Sequence, residues 1–215
     1  MNTVKFLPFT LLCALLLGCE SEPVYLCSPV AIRNASFELG EAGLAQAPEG
    51  WWAWGADLSS PDTFVSGSED NPWSVRAVSQ DGDRYIGLVT RATGTREAIA
   101  QQLDTPIGTG VEGVSFDLWV SLTDTFIHNN IPVEILKNYA EPVLLKVLVA
   151  DSEGVEHLVY ISEPIAGAEW QQLSATVPYF GDVSAVILQA DYNGGDKYNG
   201  HVLIDNVAFG VCIAE

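Results

Sequence analysis

The sequence predicts an all-β fold, a two-sheet antiparallel sandwich, and three observations carry the prediction. Short stretches that alternate apolar and polar side chains recur at regular intervals. Turn-forming Gly and Pro, 19 and 11 of them, punctuate the intervals, and long runs of Ala, Leu, Lys and Glu at helical spacing are missing. Of the 215 residues 48% are hydrophobic, enough for one sizeable core plus a leader but a squeeze for two domains.

Taken in order, residues 1–18 hold Lys5, an apolar run from Phe6 to Leu17, and then Leu16-Leu17-Gly18-Cys19. The run is too short to cross a bilayer and has the shape of an export signal. Leu-Leu-Gly-Cys resembles a bacterial lipobox, which implies cleavage before Cys19 and acylation of that residue, with several acyl chains giving firm anchorage. Glu20 follows where an Asp would retain a lipoprotein in the inner membrane, so an outer-membrane or cell-surface location is expected. An incidental Cys behind an ordinary leader is the alternative. Residues 19–30 read as a lipidated tether and 31–215 as the sandwich domain. With Cys13 lost in the leader and Cys19 acylated, Cys27 and Cys212 flank the domain of an exported protein, which suggests a disulfide; two free buried thiols are the other possibility.

From Gly40 to Pro72 the chain reads as a long loop carrying Trp51, Trp52 and Trp54, with Trp73 just beyond. Strands are then expected at Tyr85–Thr90, Val114–Ser121, Val143–Ala150, His157–Ser162, Trp170–Val177 and Ala185–Tyr192, separated by turn signals such as Asp151-Ser152-Glu153-Gly154. Arg96–Leu103 is rich in helix formers. It is short, however, is bounded by Gly94 and Thr105-Pro106, and places Ile99, Gln101 and Leu103 on one strand face, which sets a strand beside the helix that propensity alone would give. A second long connection, Thr123–Pro142, holds Asn129 and Asn130. The terminal strand, within Tyr198–Phe209, places Val202 and Ile204 on one face and Leu203, Val207 and Phe209 largely on the other.

An Asp within so apolar a strand needs a partner, because an unpaired buried carboxylate costs several kcal/mol. The counterpart is expected near the start of the domain, in Asn34-Ala35-Ser36-Phe37-Glu38. If first and last strands lie side by side, Glu38 and Asp205, with Asn34 and nearby carbonyls, could share one structural Ca²⁺, an ion that favours oxygen ligands. The alternative is that each carboxylate accepts backbone N–H bonds.

Asn34–Glu38, Gly50-Trp51 and Leu203–Val207 resemble the opening, middle and closing motifs of galactose-binding-like jelly-roll domains of the carbohydrate-binding-module type. Asp81–Val89, Glu97–Leu103 and Tyr198–Asn206 are also similar to the DGxxYxGxV, EAIxQxL and YNGxxxxDN segments of lipoproteins from gliding bacteria. The resemblance implies a jelly-roll β-sandwich, tips Arg96–Leu103 to a strand, and implies a core-plugging role for Trp51 and a structural Ca²⁺ of the kind common in such modules.

Catalytic signatures are missing: there is no Gly-x-Ser-x-Gly, His-Glu-x-x-His, Cys-x-x-Cys, phosphate loop or dinucleotide fingerprint, and His128, His157 and His201 are scattered. A glycosidase would need two carboxylates facing each other across a cleft. The expectation is a non-enzyme. The formal net charge of −19 becomes −20 once the leader, charged only at Lys5, is removed; such a surface repels nucleic acid and anionic lipid headgroups and suits neutral ligands and divalent cations. Indole rings stack on pyranose faces while amides and hydroxyls bond their hydroxyl groups. Trp52, Trp54 and Trp73 are the expected platform, with Asn129, Asn130, Gln189 and Tyr192 as polar partners; loop packing is the competing role for Trp52 and Trp54. The reading that results is a monomeric, lipid-anchored domain binding carbohydrate or cell-envelope glycan. Its alternative is an adhesion or structural lipoprotein that contacts protein and binds no sugar.

Overall fold

The structure is a computed structural model and describes residues 24–55, 60–123, 139 and 141–214. Among the described residues nine strands form: β1 (Tyr25–Val30), β2 (Trp52–Ala53), β3 (Asp62–Val65), β4 (Arg84–Thr90), β5 (Ala98–Leu122), β6 (Val143–Ala150), β7 (Glu156–Ile161), β8 (Gln171–Tyr192) and β9 (Gly200–Ala214). Their antiparallel ladder runs β3-β4-β9-β5-β8-β6-β7, with β1 added to β9 and β2 to β5.

Two strands are long enough to serve in both layers, and they fold this ladder into a sandwich. Gly113–Val120 of β5 pairs with Gln171–Pro178 of β8 beside β9, whereas Ala98–Gln102 pairs with Ala185–Gln189 beside β6. Between these halves the register slips three times around Ile107 and Val111. The bend runs through Gly110, whose φ of 112° an L side chain rarely adopts. Ile86, Leu88, Leu118, Val120, Val202 and Ile204 of the first layer share one core with Ile99, Val147, Val186 and Leu188 of the second. Each such side chain contributes about 1.5–3 kcal/mol on leaving water.

The predicted strand at 96–103 is the start of β5. Alternation overrides helix propensity here because both faces are used: Ile99 and Leu103 enter the core, while Ala98 and Ala100 join a smaller cluster on the outside of the second layer. Gln101 points inward and brackets the backbone of Arg33, accepting from its N–H at 2.6 Å and donating to its carbonyl at 2.7 Å. The separately expected strands at 114–121, 170–177 and 185–192 are portions of β5 and β8.

Three expectations change. The segment read as a tether up to residue 30 includes β1, which pairs with Phe209–Ala214, so the sandwich begins at Tyr25. Asn34–Glu38 is a series of turns rather than a strand, with Asn34 and Phe37 at φ of 50° and 60°. In β9, Val207 and Phe209 fall on the core side with Val202 and Ile204, and Leu203 alone of the five faces outward. A bulge explains this: Trp119 opposes Asp205 but Asp117 opposes Ala208, so one extra residue enters β9 at Asn206, whose φ is 49°.

On the outside of the first layer, Phe64, Val75, Tyr85 and Leu203 are sealed under Trp73, Ala77 and Trp170. Gly87 is required there. A Cβ would stand 2.1 Å from Nε2 of His201 and 2.7 Å from the Phe64 ring. Gly87→Ala is expected to cost about 1–3 kcal/mol by overpacking, read as a lower urea midpoint; an unchanged midpoint would show that this layer yields.

Candidate functional site

β2, a two-residue strand laid against β5, and the residue that follows it deliver two indoles to the outside of the second layer. Trp52 pairs with Ala100, and the backbone N–H of Trp54 donates to the Ala98 carbonyl at 3.0 Å. The two rings stand 6.3 Å apart at 50°, and Trp52 is 36% exposed. Trp54 rests on Ala98, Ala100, Leu148, Ala150, Ala185 and Ile187, mostly small side chains that leave depth for a ring. Its indole N–H donates to Glu156 Oε1 of β7 at 2.6 Å, which fixes the ring's direction.

Beside the pair lies an open groove of about 380 Å³, lined by the two indoles, Gln102, Pro106, Ser184 and the turn Asp151–Gly154. The turn is rigidly built. Asp151 accepts the N–H groups of Glu153 and Val155 at 2.9 Å and bonds Nε2 of His157 at 2.8 Å, while Asp182 accepts from Ser152 at 2.7 Å. The His157 bond, then the backbone amides, hold the Asp151 carboxyl below the usual range; bonds from Ser152 do the same for Asp182.

Of the expected binding residues, Trp52 and Trp54 are brought together; Gln189 shares their face of the second layer, opposite Ala98 in the β5–β8 ladder, but does not line the groove, and Trp73 and Tyr192 lie apart. Trp73 lies on the opposite side of the sandwich, packed beside Tyr85 and donating to Asp62 Oδ2 at 2.6 Å, because the chain between β3 and β4 covers the first layer. Tyr192 is 5% exposed; its hydroxyl donates to the Arg91 and Thr95 carbonyls, and Arg96 stacks on its ring. Its neighbour Asp191, which burial pushes upward, is nevertheless held below the ordinary range by Lys146, the Tyr192 amide and Arg96. Asn129 and Asn130 lie outside the described residues. Trp51 is core, 5% exposed against Phe37. Glu156 and the acidic turn were not expected at the site: the strand was expected to begin at His157, one residue later than it does, and Asp151–Gly154 was expected as a turn alone; the alternation that puts Glu156 on the same face as Leu158 was the available signal.

Glu38 and Asp205 meet at one turn. Glu38 Oε1 accepts the N–H groups of Asp83 and Arg84, and Asp205 Oδ2 accepts those of Gln80 and Asp81, all at 2.9 Å. Asp205 Oδ1 takes the Asn206 N–H at 2.8 Å, and Asp81 is in turn bonded by Ser36. Burial, outweighing these donors and aided by the Asp81 charge, raises the Asp205 pKa to about 7. The Asn34 side chain is engaged elsewhere: it accepts from Leu39 N–H and donates to the Leu39 and Glu49 carbonyls, closing its own loop. Among the described residues no group of three or more His, Cys, Asp or Glu is arranged to hold a metal ion.

A third polar group lies on the first layer's side. Glu97, 1% exposed, takes Arg91 at 2.8 Å, Ser60 at 3.0 Å and the Val89 N–H at 3.0 Å. Burial nonetheless lifts its pKa to about 7 and also raises that of Asp62, whose oxygens take Ala45 and Trp73. His201, fully enclosed, is pushed down to about 3 by the same cause.

No protein-family model and no curated protein matches the chain. Solved structures match in shape. A Stig cyclase from Fischerella sp. TAU, in complex with (3Z)-3-(1-methyl-2-pyrrolidinylidene)-3H-indole, is similar at TM-score 0.58 and 14% identity over 88% of this chain and 100% of its own. TmCBM61 in complex with beta-1,4-galactotriose is similar at 0.47 and 13% identity, over 85% of this chain and 98% of its own. The CBM22-1 xylan-binding domain from Paenibacillus barcinonensis Xyn10C gives 0.46 and 18%, over 84% and 93%. At 14% identity the first likeness is one of fold alone, and the chain is an all-β antiparallel sandwich.

Proposed function

We propose that this is a non-catalytic domain that binds carbohydrate or cell-envelope glycan, held as a monomer at the outer membrane or cell surface by acyl chains on Cys19. The observation that carries the proposal is the Trp52–Trp54 pair standing beside an open groove with a polar rim. Indoles so placed offer apolar faces to a pyranose, while Gln102, Ser152 and Ser184 stand where hydroxyl groups would be met. Asp62 and Glu97, two carboxylates near enough to influence each other, are both enclosed and engaged by their own donors, which favours binding over hydrolysis. Trp52→Ala and Trp54→Ala are expected to lose retention on a polysaccharide affinity gel, by tenfold or more for the pair; unchanged retention in folded variants would remove these residues from the site.

The adhesion reading draws on exposed apolar side chains elsewhere: Phe180 at 76%, and Leu158 and Ile161 along β7, at the end of the strand order. Silence of the intact chain on a glycan array, together with a reproducible protein partner in a pull-down, would favour it.

A structural Ca²⁺ on Glu38 and Asp205 belongs to the same proposal. Its support is the convergence of two carboxylates on the turn at 80–84, with Asp81 adding charge to a buried Asp205. Against it stand the backbone amides that already serve both groups. Removing calcium with a chelator is expected to lower the melting temperature, and a melting temperature indifferent to chelator would leave the amides as the whole of the clasp.

A further inference from the structure

Among the described residues that line the Trp52–Trp54 groove, Asp151 and Glu153 are the charged ones and neither Lys nor Arg is among them. Two more carboxylates stand at its border, Glu156 bonded to the Trp54 indole and Asp182 bonded to Ser152. Among the described residues here, His157 can carry positive charge, and it is paired with Asp151. Basic groups on the same layer, Lys146 and Arg96, are bound to Asp191.

From this geometry we propose that the groove selects a positively charged sugar, an oligosaccharide of hexosamines with free rather than acylated amines. The proposal rests on reading the groove as a glycan site. Indole faces attract cations, and a carboxylate held at the indole edge by its own N–H gives a bound ammonium group both a ring face and a counter-ion. The hydrogen bonds on Asp151 and Asp182 keep both groups ionised at neutral and mildly acidic pH, where a sugar amine carries its proton. A neutral sugar could stack on the rings but would shield these carboxylates from water without offering a charge in return. A uronic acid would meet like charge.

The test is titration calorimetry of the intact chain with fully deacetylated chitosan hexamer, with its fully N-acetylated counterpart, and with oligogalacturonate. The deacetylated hexamer is expected to bind at least tenfold more tightly than the acetylated one, with affinity falling as salt is added, and oligogalacturonate not to bind. Glu156→Gln and Glu153→Gln, both at exposed positions, should each weaken binding about fivefold with melting temperature unchanged. Trp54→Ala should abolish it. Equal affinity for the two hexamers, or preference for the acetylated one, overturns the proposal and leaves glycan binding standing. Polylysine bound as tightly as the deacetylated hexamer overturns it as mere charge attraction, and absence of binding to every oligosaccharide overturns both readings.

Discussion

Replacing Asp205 with alanine is expected to lower the unfolding free energy by about 3–5 kcal/mol, measured by urea denaturation, the largest loss for any single side chain considered. Asp205 is fully enclosed, and the change strands three amide donors, those of Gln80, Asp81 and Asn206. Asp205→Asn keeps an oxygen for two of them and should cost about half as much. The same residue gives stability a pH dependence. Burial raises Asp205 and Glu97 to about 7, whereas unfolded carboxylates titrate near about 4. Between those values the folded state holds protons that the unfolded state has lost, so the contribution of these two groups is fully present below about pH 4, falls through the window and is gone above about pH 7. In chelator the chain should therefore unfold at higher urea at pH 5 than at pH 8, and Glu97→Gln should flatten part of the slope. Bound Ca²⁺ would keep Asp205 ionised and reverse its share, so that stability would rise with pH. Denaturation at both pH values with and without chelator thus separates the two clasps. A midpoint independent of pH in every condition would contradict the account of both carboxylates.

Much of this architecture can be read from side-chain order, and the failures have definable causes. Val143–Ala150 is apolar on both sides, Lys146 apart, because its inner side joins the core and Leu148 and Ala150 of its outer side pack near Trp54, so the strand shows plainly. The strand at 96–103 was legible through the resemblance of Glu97–Leu103 to a known segment rather than through period, because Ile99 and Leu103, four residues apart, share a face in a helix as well as in a strand, and only the inward Gln101 between them separates the two. By contrast, nothing in Tyr25–Val30 marks a strand, because an edge strand that pairs once and exposes most of its residues carries little pattern. The reversal of Val207 and Phe209 depends on a single left-handed residue, Asn206, and strand periodicity cannot register an inserted residue. At the groove, the two indoles were legible as a clustered pair. Glu156 and Asp151 were not, since the contact between residues 54 and 156 is made by the folding of the second layer. Trp73 failed for the opposite reason: closeness in sequence to Trp54 says nothing about which layer a 20-residue excursion will cover.

Breaking the bond between Cys27 and Cys212 by a double serine substitution is expected to cost about 3–5 kcal/mol, close to the effect of Asp205→Ala but acting chiefly on the unfolded chain. The two cysteines are 185 residues apart and directly opposed in the β1–β9 ladder. Cross-linking so distant a pair removes a large share of the freedom of the unfolded chain. At this size each kcal/mol moves the melting temperature by about 2–4 °C, so a fall of about 10 °C is expected for the double variant, and reductant should bring the wild type down to match it. A second effect is local. Paired on one side by β9 and exposed along most of its length, β1 has little to hold it once the cross-link is gone, and its amides should exchange with solvent well before those of β5 and β9. If Cys19 carries the anchor, β1 is also where any pull from the membrane enters the sandwich, and the covalent link passes that load to β9, which is flanked by β5 and β4 in the middle of the first layer. Equal melting temperatures for the oxidised wild type and the double variant, with β1 amides equally protected, would show that strand pairing alone holds the edge and that the cross-link adds nothing measurable.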